Sequence, residues 1–165
     1  MTQTMAGLKE IALEVRARWV SQKLQVSEAT PQGLDLFSRW ELESPAPAYA
    51  DFFRVAGVPN DCDREGFRFW GPDELRLTGE VLRRDPRRTG NFDTNSLIIA
   101  DYLQECWWYC LWISGRYAGR VSIVLGDEHA GTIRAPRWSL EGFLRAYLAD
   151  DPSLYPHGPA DTWPE

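Results

Sequence analysis

The chain has 165 residues, a formal net charge of −6 and 13% aromatic residues. Its eight tryptophans exclude a disordered chain, because disordered chains are poor in aromatic residues. Its acidic balance argues against binding to nucleic acid or to anionic membranes, since both would need a basic face. We expect one domain over residues 1–165, with its core at about residues 30–155.

The N-terminal segment has no sign of an export signal. Met1–Leu8 lacks the basic stretch followed by an apolar stretch that a signal peptide has. No run approaches the roughly 18 apolar residues of a membrane span. The three cysteines, an odd number, are expected to be reduced thiols. These features predict a soluble cytoplasmic protein.

The beginning of the chain predicts three helices. Apolar residues recur at helical spacing over residues 7–24, which predicts an amphipathic N-terminal helix. Pro31 is expected near the start of a second helix. Pro45 and Pro47 should break that helix, and a third helix should follow and stop at Gly57.

An acidic loop follows the third helix. Asp61, Asp63 and Glu65 alternate there, but the rest of a calcium-binding EF-hand loop is missing. We interpret the segment as a solvated loop. Phe67–Trp70 predicts a short strand, and Pro72 is expected at the first turn of a further helix.

The second half predicts an antiparallel meander. β-forming residues dominate Leu97–Tyr102 and Trp107–Ile113. Arg120–Leu125 is expected to pair back as a hairpin strand. A turn at residues 126–131 and a short last strand at 132–134 should follow.

The chain should close with an amphipathic helix. Ser139 is the expected N-cap, and Trp138 and Phe143 have the spacing of a hydrophobic staple. A core-facing stripe should contain Leu140, Phe143, Leu144, Tyr147 and Leu148. The predicted fold is therefore α+β: an antiparallel meander sheet packed with N-terminal helices and a C-terminal helix.

The sequence has no recognisable catalytic or metal-binding pattern. Its two histidines, His129 and His157, lie in a predicted turn and in the proline-rich tail. Cys106 and Cys110 would be roughly 13 Å apart along a strand, too far for one zinc ion. No glycine-rich phosphate loop is present. We expect no catalytic residue, no cofactor and no metal, with a small-molecule binder or enzyme as a remote alternative.

Three stretches of the chain, in this order, have a familiar pattern. Gly66–Leu75 (GFRFWGPDEL) contains a strand, Leu97–Leu103 (LIIADYL) leads into the aromatic strand, and Trp138–Leu148 (WSLEGFLRAYL) forms the closing helix. With Pro47–Val55 upstream, they resemble the SMI1/KNR4 family, also called the SUKH superfamily. The resemblance covers roughly residues 30–155.

This resemblance implies an α+β domain without an active site. Bacterial members of the family are mostly immunity proteins that bind and neutralise a toxin, whereas fungal members are regulatory interaction proteins. The leading prediction is an immunity protein that binds a cognate toxin, as a monomer or homodimer. A regulatory or scaffold protein of the same fold is the alternative.

The aromatic strand offers one candidate binding surface. Side chains alternate between the two faces of a strand, and both faces of this strand are apolar. Trp108 and Trp112 share one face and would be natural interface anchors if they were exposed. The alternative is that both are core residues covered by the N-terminal helix, since large exposed apolar patches are rare.

Acidic residues offer the second candidate surface. Carboxylates orient and accelerate docking of a basic partner, although solvation of ordinary loops also explains them. The candidate residues are Asp61, Asp63, Glu65, Asp127 and Glu128.

Overall fold

A computed structural model describes residues 5–36, 45–83, 95–125 and 134–156 of the chain. The helices are α1 (Met5–Ser21), α2 (Pro31–Leu36), α3 (Pro45–Ala56), α4 (Thr78–Arg83) and α5 (Leu140–Leu148). The strands are β1 (Val26–Ser27), β2 (Val58–Pro59), β3 (Phe67–Phe69), β4 (Arg76–Leu77), β5 (Ser96–Tyr102), β6 (Trp107–Trp112), β7 (Arg120–Leu125) and β8 (Trp138–Ser139). The fold is α+β, as predicted.

The main sheet of the described residues is antiparallel throughout. Its strand order is β3-β5-β6-β7-β8, and β4 also pairs with β5. Strands β5, β6 and β7 are neighbours both in the chain and in the sheet, which confirms the predicted meander. The register sets Tyr102 opposite both Phe67 and Trp107, so these three rings share one face of the sheet.

Helices α1, α3 and α5 pack against that face. The Trp19 ring of α1 lies 6.2 Å from Phe52 of α3 and 5.3 Å from Phe69 of β3. Phe69 in turn meets Tyr147 of α5 edge to face at 4.9 Å. The predicted apolar stripe of α1 is fully inside the core: Leu8, Ile11, Ala12, Val15 and Trp19 are all buried.

The start of α5 confirms the sequence-based capping prediction. The Ser139 hydroxyl accepts a hydrogen bond of 3.0 Å from the Gly142 backbone N–H. Trp138 and Phe143 lie 6.1 Å apart and form the expected staple.

One predicted helix differs from the structure. The fourth helix begins at Thr78 instead of Pro72, because a turn closed at Gly71 and the strand β4 come first. In that turn the Glu74 backbone N–H donates to the Gly71 carbonyl at 2.9 Å, and the Glu74 carboxylate accepts from the Gly71 N–H at 3.1 Å. The predicted turn and last strand fall largely on residues 126–133, outside the described residues.

Candidate protein-binding surface

Asp63 is a buried structural residue. It exposes 5% of its surface. One carboxylate oxygen accepts a hydrogen bond of 2.8 Å from the Phe67 backbone N–H, and the other accepts one of 2.7 Å from the Tyr147 hydroxyl. Asp63 is therefore neither the partner-facing carboxylate nor the solvated loop residue that the two alternatives predicted, because both oxygens are used inside the fold.

The Asp63 carboxylate belongs to a network that joins α1 to α5. The Tyr147 hydroxyl that donates to Asp63 also accepts a hydrogen bond of 3.0 Å from the Trp19 indole N–H. Arg18 donates to the backbone carbonyls of Tyr147 and Leu148 at 3.0 and 3.1 Å, where the α5 dipole favours a cation. Burial raises the pKa of the Asp63 carboxyl, and the hydrogen bonds from Tyr147 and Phe67 only partly oppose that rise.

Glu65 lies at the edge of this network and remains partly exposed. Its carboxylate accepts a hydrogen bond of 2.9 Å from the Gln22 side chain and pairs with Arg18 at 3.2 Å. Burial opposes ionisation of Glu65, but the bonds from Gln22 and Arg18 outweigh it and lower its pKa. Asp61 is exposed. The structure thus keeps Asp61 and Glu65 at the surface and withdraws Asp63 from it.

The other two acidic candidates, Asp127 and Glu128, lie outside the described residues.

Both tryptophan candidates are buried. Trp108 exposes 2% of its surface and Trp112 exposes 9%. The Trp112 indole N–H donates a hydrogen bond of 2.8 Å to the Ser122 hydroxyl, and its ring meets Tyr117 edge to face at 5.4 Å. The prediction that either ring is an exposed anchor is wrong, and the alternative that both are core residues is confirmed.

The helix expected to cover these tryptophans packs elsewhere. Trp19 of α1 contacts Phe69. Phe69 lies opposite Ala100 in the sheet, and Ala100 lies opposite Tyr109, so α1 covers the face that contains Tyr109. Trp108 is the neighbour of Tyr109 in β6 and points to the opposite face. The second part of that alternative, coverage by α1, is therefore wrong.

The turn between β5 and β6 has an unusual backbone. Leu103–Glu105 have φ values of 45°, 54° and 72° in chain order. Each of these residues therefore adopts the left-handed region, which costs an L-residue about 1–2 kcal/mol. None of the three is a glycine, asparagine or aspartate, the residue types that tolerate this region best. We call Leu103–Glu105 the left-handed turn.

Hydrogen bonds fix the left-handed turn in place. The Cys106 backbone N–H donates to the Tyr102 carbonyl at 3.0 Å and closes the turn. The Leu103 N–H donates to the Gly66 carbonyl at 2.9 Å, and the Glu105 N–H donates to the Asp101 carboxylate at 3.3 Å. The strained conformation is thus held by the acidic loop on one side and by a buried carboxylate on the other.

Leu103 is the exposed tip of this turn. It leaves 52% of its surface in solvent. The remainder packs over Gly66, where a Cβ would come within 2.7 Å of the Leu103 Cδ2 atom. Gly66 itself has φ +93°, so a side chain there would be strained as well as crowded. Glycine at this position leaves room for Leu103.

Tyr102, which precedes Leu103 and also lies near Gly66, packs against a second half-buried tyrosine. The half-buried rings of Tyr102 and Tyr155 meet edge to face at 5.3 Å, and the Tyr155 hydroxyl donates to the Asp150 carboxylate. Burial raises the pKa of Tyr102, and the nearby charges of Asp150 and Glu65 raise it further. We call Leu103 and Tyr102, with the Tyr155, Asp150 and Glu65 side chains that act on Tyr102, the turn surface.

Sequence reasoning found only Glu65 among these residues. Leu103 comes directly after the predicted strand Leu97–Tyr102, and Tyr155 lies after the closing helix. One signal could have been used: the loop between β5 and β6 contains neither glycine nor proline. A short hairpin loop without those residues predicts an unfavourable backbone, although not the direction in which its side chains point.

The described residues include no group of three or more histidine, cysteine, aspartate or glutamate side chains that could hold a metal ion. Among the helices described, none is long and apolar enough to cross a membrane. All three cysteines of the chain lie in the described part, and none is in a disulfide. No family model, curated protein or solved structure matches this chain.

Proposed function

We propose that this chain is a non-catalytic protein-binding domain of the SMI1/KNR4 kind, and that it neutralises a cognate toxin by binding it. The observation that carries the proposal is the exposed Leu103 on a strained and hydrogen-bonded turn. Strained backbone persists where the surrounding structure holds it in place, and such sites cluster at functional surfaces. An apolar side chain presented rigidly loses little conformational freedom on binding, so it is suited to a protein interface.

The use made of the buried carboxylates supports binding over catalysis. Asp63 accepts bonds from Phe67 and Tyr147, and Asp101 accepts them from Trp70 and Arg68. These two groups join secondary-structure elements across the core, and each oxygen of Asp63 and Asp101 already has a structural donor. A cytoplasmic location agrees with three cysteine thiols outside disulfides.

The test is a toxicity rescue. The C-terminal domain encoded by the neighbouring gene would be expressed in a bacterial host with and without this chain. We expect growth to be restored and the two proteins to co-purify at equal stoichiometry. Persistent toxicity beside soluble chain, with no complex, would refute immunity to that toxin and favour the regulatory alternative.

A further inference from the structure

We infer that the solvent-facing side of α1 binds α1 of a second copy of this chain, with the two helices parallel and related by a two-fold axis. The inference depends on the surface of α1 and not on the proposed function. It assigns a partner to an apolar line of side chains on the outside of the fold.

The apolar line consists of Leu13, Ala17 and Val20. Among the described residues, three large hydrophobic side chains are exposed by half or more, and two of them lie on α1: Leu13 at 52% and Val20 at 56%. The exposed Ala17 lies between them. Steps of four and three residues place all three on one side of the helix. Single exposed apolar residues are ordinary, but such a line is the seam along which helices pair. We call these three residues the α1 seam.

The rest of α1 has the pattern of a helix that packs on two sides. When Leu13 and Val20 are assigned to position d of a heptad, Ala17 takes position a. Positions b, c and f point away from such a seam. They contain residues buried in the core of the same copy: Ile11, Ala12, Val15 and Trp19. The α1 seam is therefore separate from the side of the helix that stabilises the fold.

Charged residues of opposite sign border the α1 seam. On the side next to α3, Lys9 lies about two turns before Arg16, which donates to a backbone carbonyl of α3 at 3.2 Å. On the side next to α5, Glu14 lies about two turns after Gly7, where a Cβ would be 3.6 Å from the Glu141 carboxylate. Lys9 and Glu14 are exposed, and among the described residues neither forms an ion pair. The seam thus has a basic side and an acidic side.

These two sides select both the occupant and its direction. When parallel helices are related by a two-fold axis along the seam, the basic side of each copy lies against the acidic side of the other. Lys9 at position g then lies beside Glu14 at position e of the second copy, as in a parallel coiled coil. In an antiparallel two-fold pair, each side would instead meet its like-charged counterpart. A second α1 in the parallel direction therefore complements both the seam and its charges.

The α1 seam is short, so the pairing is reversible. From Leu13 to Val20 the helix rises by only about 10 Å. A contact of this length buries much less area than a permanent dimer does. We expect a dissociation constant on the order of 100 µM, which sedimentation can follow.

Sedimentation equilibrium of the purified chain, from about 10 µM to about 1 mM, measures this pairing. Leu13→Asp should raise the dissociation constant about tenfold or more, because it places a carboxylate in the seam. Leu103→Asp is the matched control, since Leu103 has the same 52% exposure but lies in the left-handed turn; it should pair like the wild type. Ala17→Leu enlarges the apolar contact at an exposed position, so it should tighten the pairing about fivefold.

Charge reversal tests the direction of the helices. Lys9→Glu and Glu14→Lys each set like charges against one another in a parallel pair, so each variant alone should pair about fivefold more weakly at low salt. An equimolar mixture of the two variants should recover wild-type pairing, because their substituted sides are complementary. Glu105→Lys is the control, since it reverses an exposed charge of the left-handed turn and should leave the pairing unchanged.

A chain that stays monomeric up to about 1 mM would overturn the inference. A dimer that Leu13→Asp does not weaken would overturn it as well. Charge variants that do not recover on mixing would overturn the parallel arrangement. A monomeric chain whose complex with the toxin domain is weakened by Leu13→Asp would show that the toxin covers the α1 seam instead of a second copy. The toxicity rescue tests the proposed function separately, so a failure of self-pairing leaves that function standing.

Discussion

The Tyr147 hydroxyl donates a hydrogen bond of 2.7 Å to the Asp63 carboxylate, across 84 residues of sequence. This bond joins α5 to the acidic loop. The Trp19 indole N–H of α1 donates to the same Tyr147 hydroxyl oxygen at 3.0 Å, so α1 is joined as well. Gly66, the residue against which Leu103 rests, closes the same loop through a 3.0 Å bond to the Asp63 carbonyl. The buried network therefore holds the loop residue Gly66 against which the left-handed turn packs.

Removing the Tyr147 hydroxyl should destabilise the fold strongly. Tyr147→Phe leaves a buried Asp63 oxygen without its donor and the Trp19 N–H without its acceptor. We expect the free energy of unfolding to fall by about 2–4 kcal/mol, as when buried polar groups lose their partners. Chemical denaturation measures this loss. Tyr155→Phe, which removes a more exposed hydroxyl bonded to Asp150, is the control and should cost less than about 1 kcal/mol. Equal losses would argue against the network.

The stability contributed by Asp63 should decrease as the pH rises. Burial raises its pKa above the ordinary value of 3.8, so near that pH the folded chain binds more protons than the unfolded chain. The contribution is complete below the unfolded pKa and is lost as the pH rises through the folded pKa. The difference in unfolding free energy between wild type and Asp63→Asn should therefore fall from about pH 4 upward. A difference that grows over this range would contradict the raised pKa.

Relaxing the backbone of the left-handed turn should stabilise the chain. Gln104 has φ 54° and an exposed side chain, so Gln104→Gly removes strain and loses little packing. We expect a gain of about 0.5–1 kcal/mol in the free energy of unfolding, since the entropy of glycine offsets part of the relief. Gln25→Gly, at an exposed position without positive φ, should be neutral or destabilising. A loss at Gln104 as large as that at Gln25 would show that the turn is unstrained.

Elements with a local pattern were predictable from the sequence. Apolar spacing identified α1, and Ser139 with its staple residues identified α5, because those signals depend on residues a few positions apart. The β-forming residues of β5 and β6, followed by a short turn and the β7 segment, likewise predicted the meander.

Features that depend on distant residues were not predictable. Asp63 lies in a polar run, and the bonds from Phe67 and from Tyr147, 84 residues away, make its burial favourable. The left-handed turn contains no glycine, the residue that usually indicates a positive φ. Its conformation is fixed instead by bonds to Gly66 and Asp101. Trp108 and Trp112 show the same limit, because two apolar strand faces do not reveal which neighbours cover them.

Asp101 should link the stability of the sheet to the order of the turn. One of its oxygens accepts bonds from the Trp70 indole at 2.6 Å and from Arg68 at 2.9 Å, and the other accepts the Glu105 N–H. Asp101→Asn replaces one acceptor with a donor and removes the charge facing Arg68, so we expect a loss of about 2–4 kcal/mol. Amide hydrogen exchange at Glu105 should accelerate by more than this global loss explains, because the amide also loses its direct acceptor. The control, Glu74→Gln, removes a more exposed partner of Arg68 and should cost less than about 1 kcal/mol. Unchanged exchange at Glu105 would show that the left-handed turn holds its shape without Asp101.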